Sequence, residues 1–191
     1  MRLSPAEFPG LRWAFVSIAH ESERSDRGVV GTQIGREPRG NIEVVVRCEY
    51  ELPMVIATSN TLDDGEPFPT RYWLTCPLAV RAVGRLEGSG RMRELNERLA
   101  AEPDLADAYH EAHDRYRRDR DGVMDGPAES AGGMPGRVKC LHALYAHEVA
   151  DGNPIGAIVR AEIEPLGCPG PCVDAENRRV AGHPAFARRS R

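Results

Sequence analysis

The feature that most limits how this chain can fold is a change of hydrophobic period at Pro77. Upstream, Ile42, Val44, Val46, Cys48 and Tyr50 alternate with Glu43, Val45, Arg47, Glu49 and Glu51. A period of two is a strand with one buried face. Met54–Thr58 reads as a second short strand, with a hairpin around Leu52-Pro53, and Arg71–Leu74 suits a third. Downstream, Leu78, Val80, Val83 and Leu86 recur at helical spacing up to Gly88-Ser89-Gly90. Pro77 fits the first turn of that helix, with Thr75 or Cys76 as its cap. Strands first and helices later define an α+β fold. The expected architecture is a small antiparallel sheet of about three strands in the N-terminal half, packed against four or five helices in the C-terminal half.

The helical half divides at its Gly and Pro residues. Arg91–Ala101 turns Leu95 and Leu99 inward. Pro103 opens a longer helix, with Leu105, Tyr109, Ala112, His113 and Tyr116 on one stripe and mixed charge elsewhere. His110 and His113 stand three apart, but only His113 lies in the stripe. Arg137–His147 reads as a helix that is apolar most of the way round, and therefore buried. Ile155–Ile163 is a short apolar segment, helix or strand. Residues 1–30 read as a weakly ordered extension, residues 31–173 as a single α+β domain and residues 174–191 as a flexible, Arg-rich tail.

Composition excludes several classes. Net charge is −4, so no global basic field draws the chain to nucleic acid or to an anionic membrane. No apolar run reaches the roughly 18 residues that a membrane span needs. The apolar patch Trp13–Val16 is too short for a signal-peptide core, which points to the cytoplasm. The five Cys are odd in number and widely spaced, so they read as free thiols, buried thiols or metal ligands.

Two kinds of chemistry have candidates. For thiol or metal chemistry, Cys76 is expected at a helix N-terminus, where the dipole favours a thiolate. Cys140 and His142, two apart on the expected helix, would point about 160° away from each other at 100° per residue, a poor geometry for one ion unless the helix starts later. A better zinc set is Cys76 with Cys140 or His142, plus Cys168 and Cys172. Catalysis would fall to Cys76, Cys140 and His142, with His142 as the base. For anion binding, a Gly-rich loop runs into Arg137 and Lys139, and Arg36, Arg39 and Arg71 can complete a pocket. The spacing matches neither a Walker loop nor a dinucleotide fingerprint, and there is no Gly-x-Ser-x-Gly.

Four stretches also carry a family resemblance: Gly35–Gly40 (GREPRG), Pro67–Pro77 (PFPTRYWLTCP), Gly136–His142 (GRVKCLH) and Asn153–Gly156 (NPIG). In this order they resemble domain-of-unknown-function family 501, a largely actinobacterial family of small soluble proteins. The resemblance covers about residues 30–172. It implies no activity, cofactor or catalytic residue.

The leading expectation is binding, with turnover a further option, of a small anionic or phosphorylated ligand. Its pocket would be formed by the Gly35–Gly40 turn, the Pro67–Pro77 stretch and the Gly132–His142 segment. The alternatives are a zinc- or thiol-dependent protein using Cys76, Cys140 and His142, and a non-enzymatic partner module presenting the charged helix Arg91–Asp121 and the Arg-rich tail.

Overall fold

The computed structural model describes residues 26–59, 65, 68, 70–120 and 131–187. Most of the expected N-terminal extension, the Thr61–Pro67 turn except Gly65, the first part of the Gly122–Gly136 loop and the end of the tail lie outside the described residues. The elements are α1 (residues 26–34), β1 (Ile42–Arg47), β2 (Pro53–Thr58), β3 (Tyr72–Leu74), α2 (Pro77–Gly88), α3 (Arg91–Ala101), α4 (Pro103–Arg120), α5 (Leu141–Asp151), α6 (Pro154–Ile163) and a 3-10 turn (Pro184–Phe186). The fold is α+β: a three-stranded antiparallel sheet in the N-terminal half, with helices that are mostly C-terminal.

The sheet order is β1-β2-β3. Val44 pairs with Ile56, and Val55 with Leu74. β1 alternates between half-buried and exposed positions, as its period of two requires, whereas β2 is buried along its whole length. A central strand covered on both faces loses the alternation. α5 lies against β3 and packs on α6. On the opposite side, Ile34 of α1 meets Ile42, Ile56 and Trp73 around a small cavity. Gln33 of the same helix donates to the Pro53 carbonyl at 2.8 Å.

The main core joins Val55, Tyr72 and Leu74 of the sheet to Val83, Leu95, Tyr109, Tyr116, Leu144 and Tyr145 of the helices. Gly156 lets α6 approach α5 closely, since a Cβ there would stand 2.2 Å from the Leu144 carbonyl oxygen. Ile155–Ile163, readable either way from sequence, is therefore helical. It is capped by Asn153, whose side chain accepts the Gly156 N–H at 2.9 Å.

The expected Arg137–His147 helix begins four residues later, at Leu141. Residues 137–140 are extended because other partners hold their backbone. The Gly132 carbonyl accepts the amides of Lys139 (2.6 Å) and Cys140 (3.3 Å). Asn96 of α3 both donates to and accepts from the Val138 backbone, at 3.0 and 2.9 Å. Gly132 and Gly133 take positive φ to make the turn behind this segment.

A division at residues 30 and 173 remains a proposal. Within the described residues, α1 runs through position 30, and Val173 bridges to Arg179. Val29, Cys172, Val173 and Ala185 form a second small core with Leu52, Leu78 and Phe186. Among the described residues, no helix is long and apolar enough to cross a membrane.

His147 is fully buried in the main core, stacked on Tyr72 at 5.6 Å and edge-on to Tyr116 at 5.2 Å. Its Nε2 lies 3.4 Å from Asp151 Oδ2, without hydrogen-bond alignment. Burial pushes the imidazole down to about 4, against the smaller opposing pull of Asp151. The unfolded ring takes up a proton near 6.5, so between these values the unfolded chain binds more protons than the folded one. Stability attributable to His147 is therefore complete above about pH 6.5 and lost as pH falls towards 4, by about 2–3 kcal/mol. Urea midpoints measured across this window should fall with pH, and the slope should shrink in His147→Gln.

Candidate functional site

The late start of α5 brings together two side chains that a longer helix would separate. Cys140 is the N-cap of α5, with an extended backbone, and His142 lies in the first turn. Their side chains meet Glu87, near the end of α2, and one donor atom from each residue lies within 4.8 Å of the other two. The expectation that Cys140 and His142 diverge is thus corrected, because Cys140 stands outside the helix.

Hydrogen bonds fix each member. Glu87 Oε1 accepts the Leu141 N–H at 2.7 Å, so a carboxylate sits at the positive end of α5. The same oxygen is 3.1 Å from His142 Nδ1. His142 Nε2 is 3.0 Å from the Val80 carbonyl, which only a protonated Nε2 can satisfy. The imidazole is raised to about 9, first by its hydrogen bond with Cys140 and further by the Glu87 charge and the Val80 carbonyl, with burial opposing.

This geometry discriminates between two chemistries. A nucleophile–base–acid relay needs the thiol on one ring nitrogen and the carboxylate on the other. Here the Val80 carbonyl holds Nε2, so Nδ1 is left to face both Glu87 and Cys140. Three donors facing one point, with the far imidazole N–H anchored on a backbone carbonyl, is the arrangement of metal ligands and their outer shell. The group adjoins a cleft of about 330 Å³ lined by Cys140, His142, Trp73, Leu74, Val80 and Ala143, among others.

The remaining sequence candidates fall elsewhere. Cys76 caps α2, but its thiol is raised to about 11, first by burial, which outweighs the backbone amides of Leu78 and Ala79. The expected low-pKa thiolate is therefore corrected: desolvation exceeds the helix-end effect. Cys76 shares a different cavity with Cys48, Cys168 and Cys172, so the zinc set drawn from sequence splits between two places. Arg36 lies over the Trp73 ring at 5.5 Å, and with Arg39 it lines a cavity of about 70 Å³. Arg71 pairs with Asp119 at 2.9 Å. Arg137 and Lys139 are exposed and line neither that cavity nor the cleft. The anion at the α5 N-terminus is the protein's own Glu87. Trp73 lines both the Arg36–Arg39 cavity and the Cys140–His142 cleft. His110 is exposed while His113 is buried, so their spacing does not make a pair.

Glu87 is absent from the sequence candidates. One signal was available: it is an acid in the last turn of a helix, where the dipole disfavours negative charge.

These features define a small α+β protein with a carboxylate–thiol–imidazole cluster beside the edge of its sheet. The chain belongs to the family described as Protein of unknown function (DUF501), whose model matches residues 44–161. The matched span includes Glu87, Cys140 and His142 and ends before Cys168. No curated protein matches the chain, and no solved structure does.

The position of Cys140 depends on Asn96. Asn96→Ala removes both side-chain bonds to the buried Val138 backbone and should cost about 1–3 kcal/mol. Hydrogen exchange should show faster exchange at the Val138 amide, with α6 amides unchanged.

Proposed function

We propose that this protein binds a zinc-type divalent ion through Glu87, Cys140 and His142 and presents it to the adjoining cleft. The observation that carries this reading is the convergence of the three donors on one point, with His142 Nε2 anchored on the Val80 carbonyl. Sulfur, nitrogen and oxygen together suit zinc's borderline character. Charge also balances: a carboxylate, a thiolate and a neutral imidazole carry two negative charges, which a divalent ion cancels. Without a metal, the proton on His142 Nδ1 partly plays that role. Three protein ligands would leave a fourth position for water or substrate, and zinc there would supply Lewis acidity to a bound water or a carbonyl. Trp73, Leu74 and Val80 suit the apolar part of a substrate.

Purified protein should retain one zinc per chain. Loss of even an outer-shell partner costs roughly 10–100-fold in metal affinity, so Cys140→Ser, His142→Ala and Glu87→Ala should each weaken binding by more than about tenfold. Cys172→Ser should leave it unchanged. Zinc affinity unaltered by all three ligand variants would sink the proposal.

A second reading, a small anionic ligand, draws support from Arg36 and Arg39 lining one cavity beside Thr58 and Trp73. Inorganic phosphate titrated into the protein should bind more weakly to Arg36→Ala and Arg39→Ala. Equal heats in all three proteins would remove this reading.

A further inference from the structure

Four of the five cysteines line one cavity of about 290 Å³. Cys48 follows β1, Cys76 caps α2, and Cys168 and Cys172 lie in the segment after α6. His183 lines the same cavity, with Nε2 3.7 Å from Cys168 Sγ. Cys172 is buried, and Gln33 directs an N–H towards its sulfur at 4.0 Å. These three segments are distant in the chain, so the fold itself assembles the thiols.

The spacing restricts what can occupy the cavity. Zinc–sulfur bonds of about 2.3 Å in tetrahedral geometry put ligand sulfurs roughly 3.8 Å apart. Among the described residues, Glu87, Cys140 and His142 are the only three metal-type donors that approach within 4.8 Å of one another. No three of the cavity thiols therefore stand as close together as the ligands of one tetrahedral ion. A cluster places several metal ions and sulfides between its thiolates and holds them farther apart. Four thiolates in one pocket need cationic charge between them.

We propose that Cys48, Cys76, Cys168 and Cys172 ligate an iron–sulfur cluster in this cavity, separate from the Glu87–Cys140–His142 centre. Four thiolates are the usual ligand set of both two-iron and four-iron clusters. Gln33 stands where it can donate a hydrogen bond to the Cys172 sulfur, one of the protein's means of setting a cluster's potential. The cluster would tie the segment after α6 to β1 and α2, where the surrounding second core is small.

The test is anaerobic purification of the full chain, with reconstitution by ferrous iron and sulfide. Iron and acid-labile sulfide should bind in equal amounts with broad visible absorbance. The absorbance should be lost in a Cys168→Ser, Cys172→Ser double variant and kept in Cys140→Ser. Alkylation of the wild-type chain, read by mass spectrometry, reports the ligands without any variant. The half-buried Cys48, Cys76 and Cys168 should become protected only when iron and sulfide are both supplied, while protection of the already buried Cys172 and of Cys140 should not depend on them. Iron or zinc that protects Cys48, Cys76 or Cys168 without sulfide, no iron bound after reconstitution, or a chromophore lost with Cys140 would each overturn the proposal. Because Cys140→Ser removes the zinc centre alone, failure of one site is distinguishable from failure of the other.

Discussion

Three backbone amides decide the character of this molecule. Those of Lys139 and Cys140 are held by the Gly132 carbonyl, and that of Leu141 by the Glu87 carboxylate. A helix starting at Arg137 would pair the Leu141 amide with the Arg137 carbonyl, but Glu87 takes that amide, and Tyr109 and Asn96 take the Arg137 and Val138 carbonyls. The chain stays extended to Cys140, and α5 enters the core from there, carrying Leu144, Tyr145 and His147 against the sheet. A helix starting at Arg137 would turn Cys140 away from His142 and leave Glu87 without its amide. Fold and site thus rest on the same hydrogen bonds.

Two groups of anionic donors result, and they differ in how their charge is managed. At Glu87, Cys140 and His142, opposite charges are close: the imidazole accepts a proton readily because a carboxylate, a thiol and a carbonyl surround it. Around Cys76 and Cys172, burial and like neighbours act in the same direction and suppress ionisation. The first group is arranged as a proton-bearing ion pair, whereas the thiols of the second are held towards their neutral form. Burial lowers the imidazole and raises the thiols: at His142 its polar neighbours outweigh it, whereas at Cys76 and Cys172 it is the largest cause.

The fold was legible where one period dominates. β1 alternates cleanly, Arg91–Ala101 is bounded by Gly and Pro, and Pro77 marks the start of α2. The start of α5 was hidden because it depends on contacts from Asn96 and Glu87, 42 and 54 residues away in sequence. Propensity at Arg137–Lys139 carries no trace of such partners. The site was legible only by residue type. Cys140 and His142 stood out as reactive side chains, but their convergence followed from the helix start. Glu87 looked like an ordinary surface acid. Arg71 looked available from sequence, yet Asp119 on α4 neutralises it and also accepts from Tyr72. Pairings across dozens of residues leave no local pattern to read.

Trp73 lines both the Arg36–Arg39 cavity and the Cys140–His142 cleft. Its neighbours on β3, Tyr72 and Leu74, are buried in the core, so the strand itself has little freedom to shift. Residue Trp73 therefore borders both compartments, with Phe68 and Arg36 against its ring. Any occupant that tilts it changes the room on the far side, and a free-energy cost felt in one compartment is returned with equal size from the other. Two sites read separately from their residues would then titrate as a linked pair, with the tryptophan ring as the moving part and its intrinsic fluorescence as the reporter.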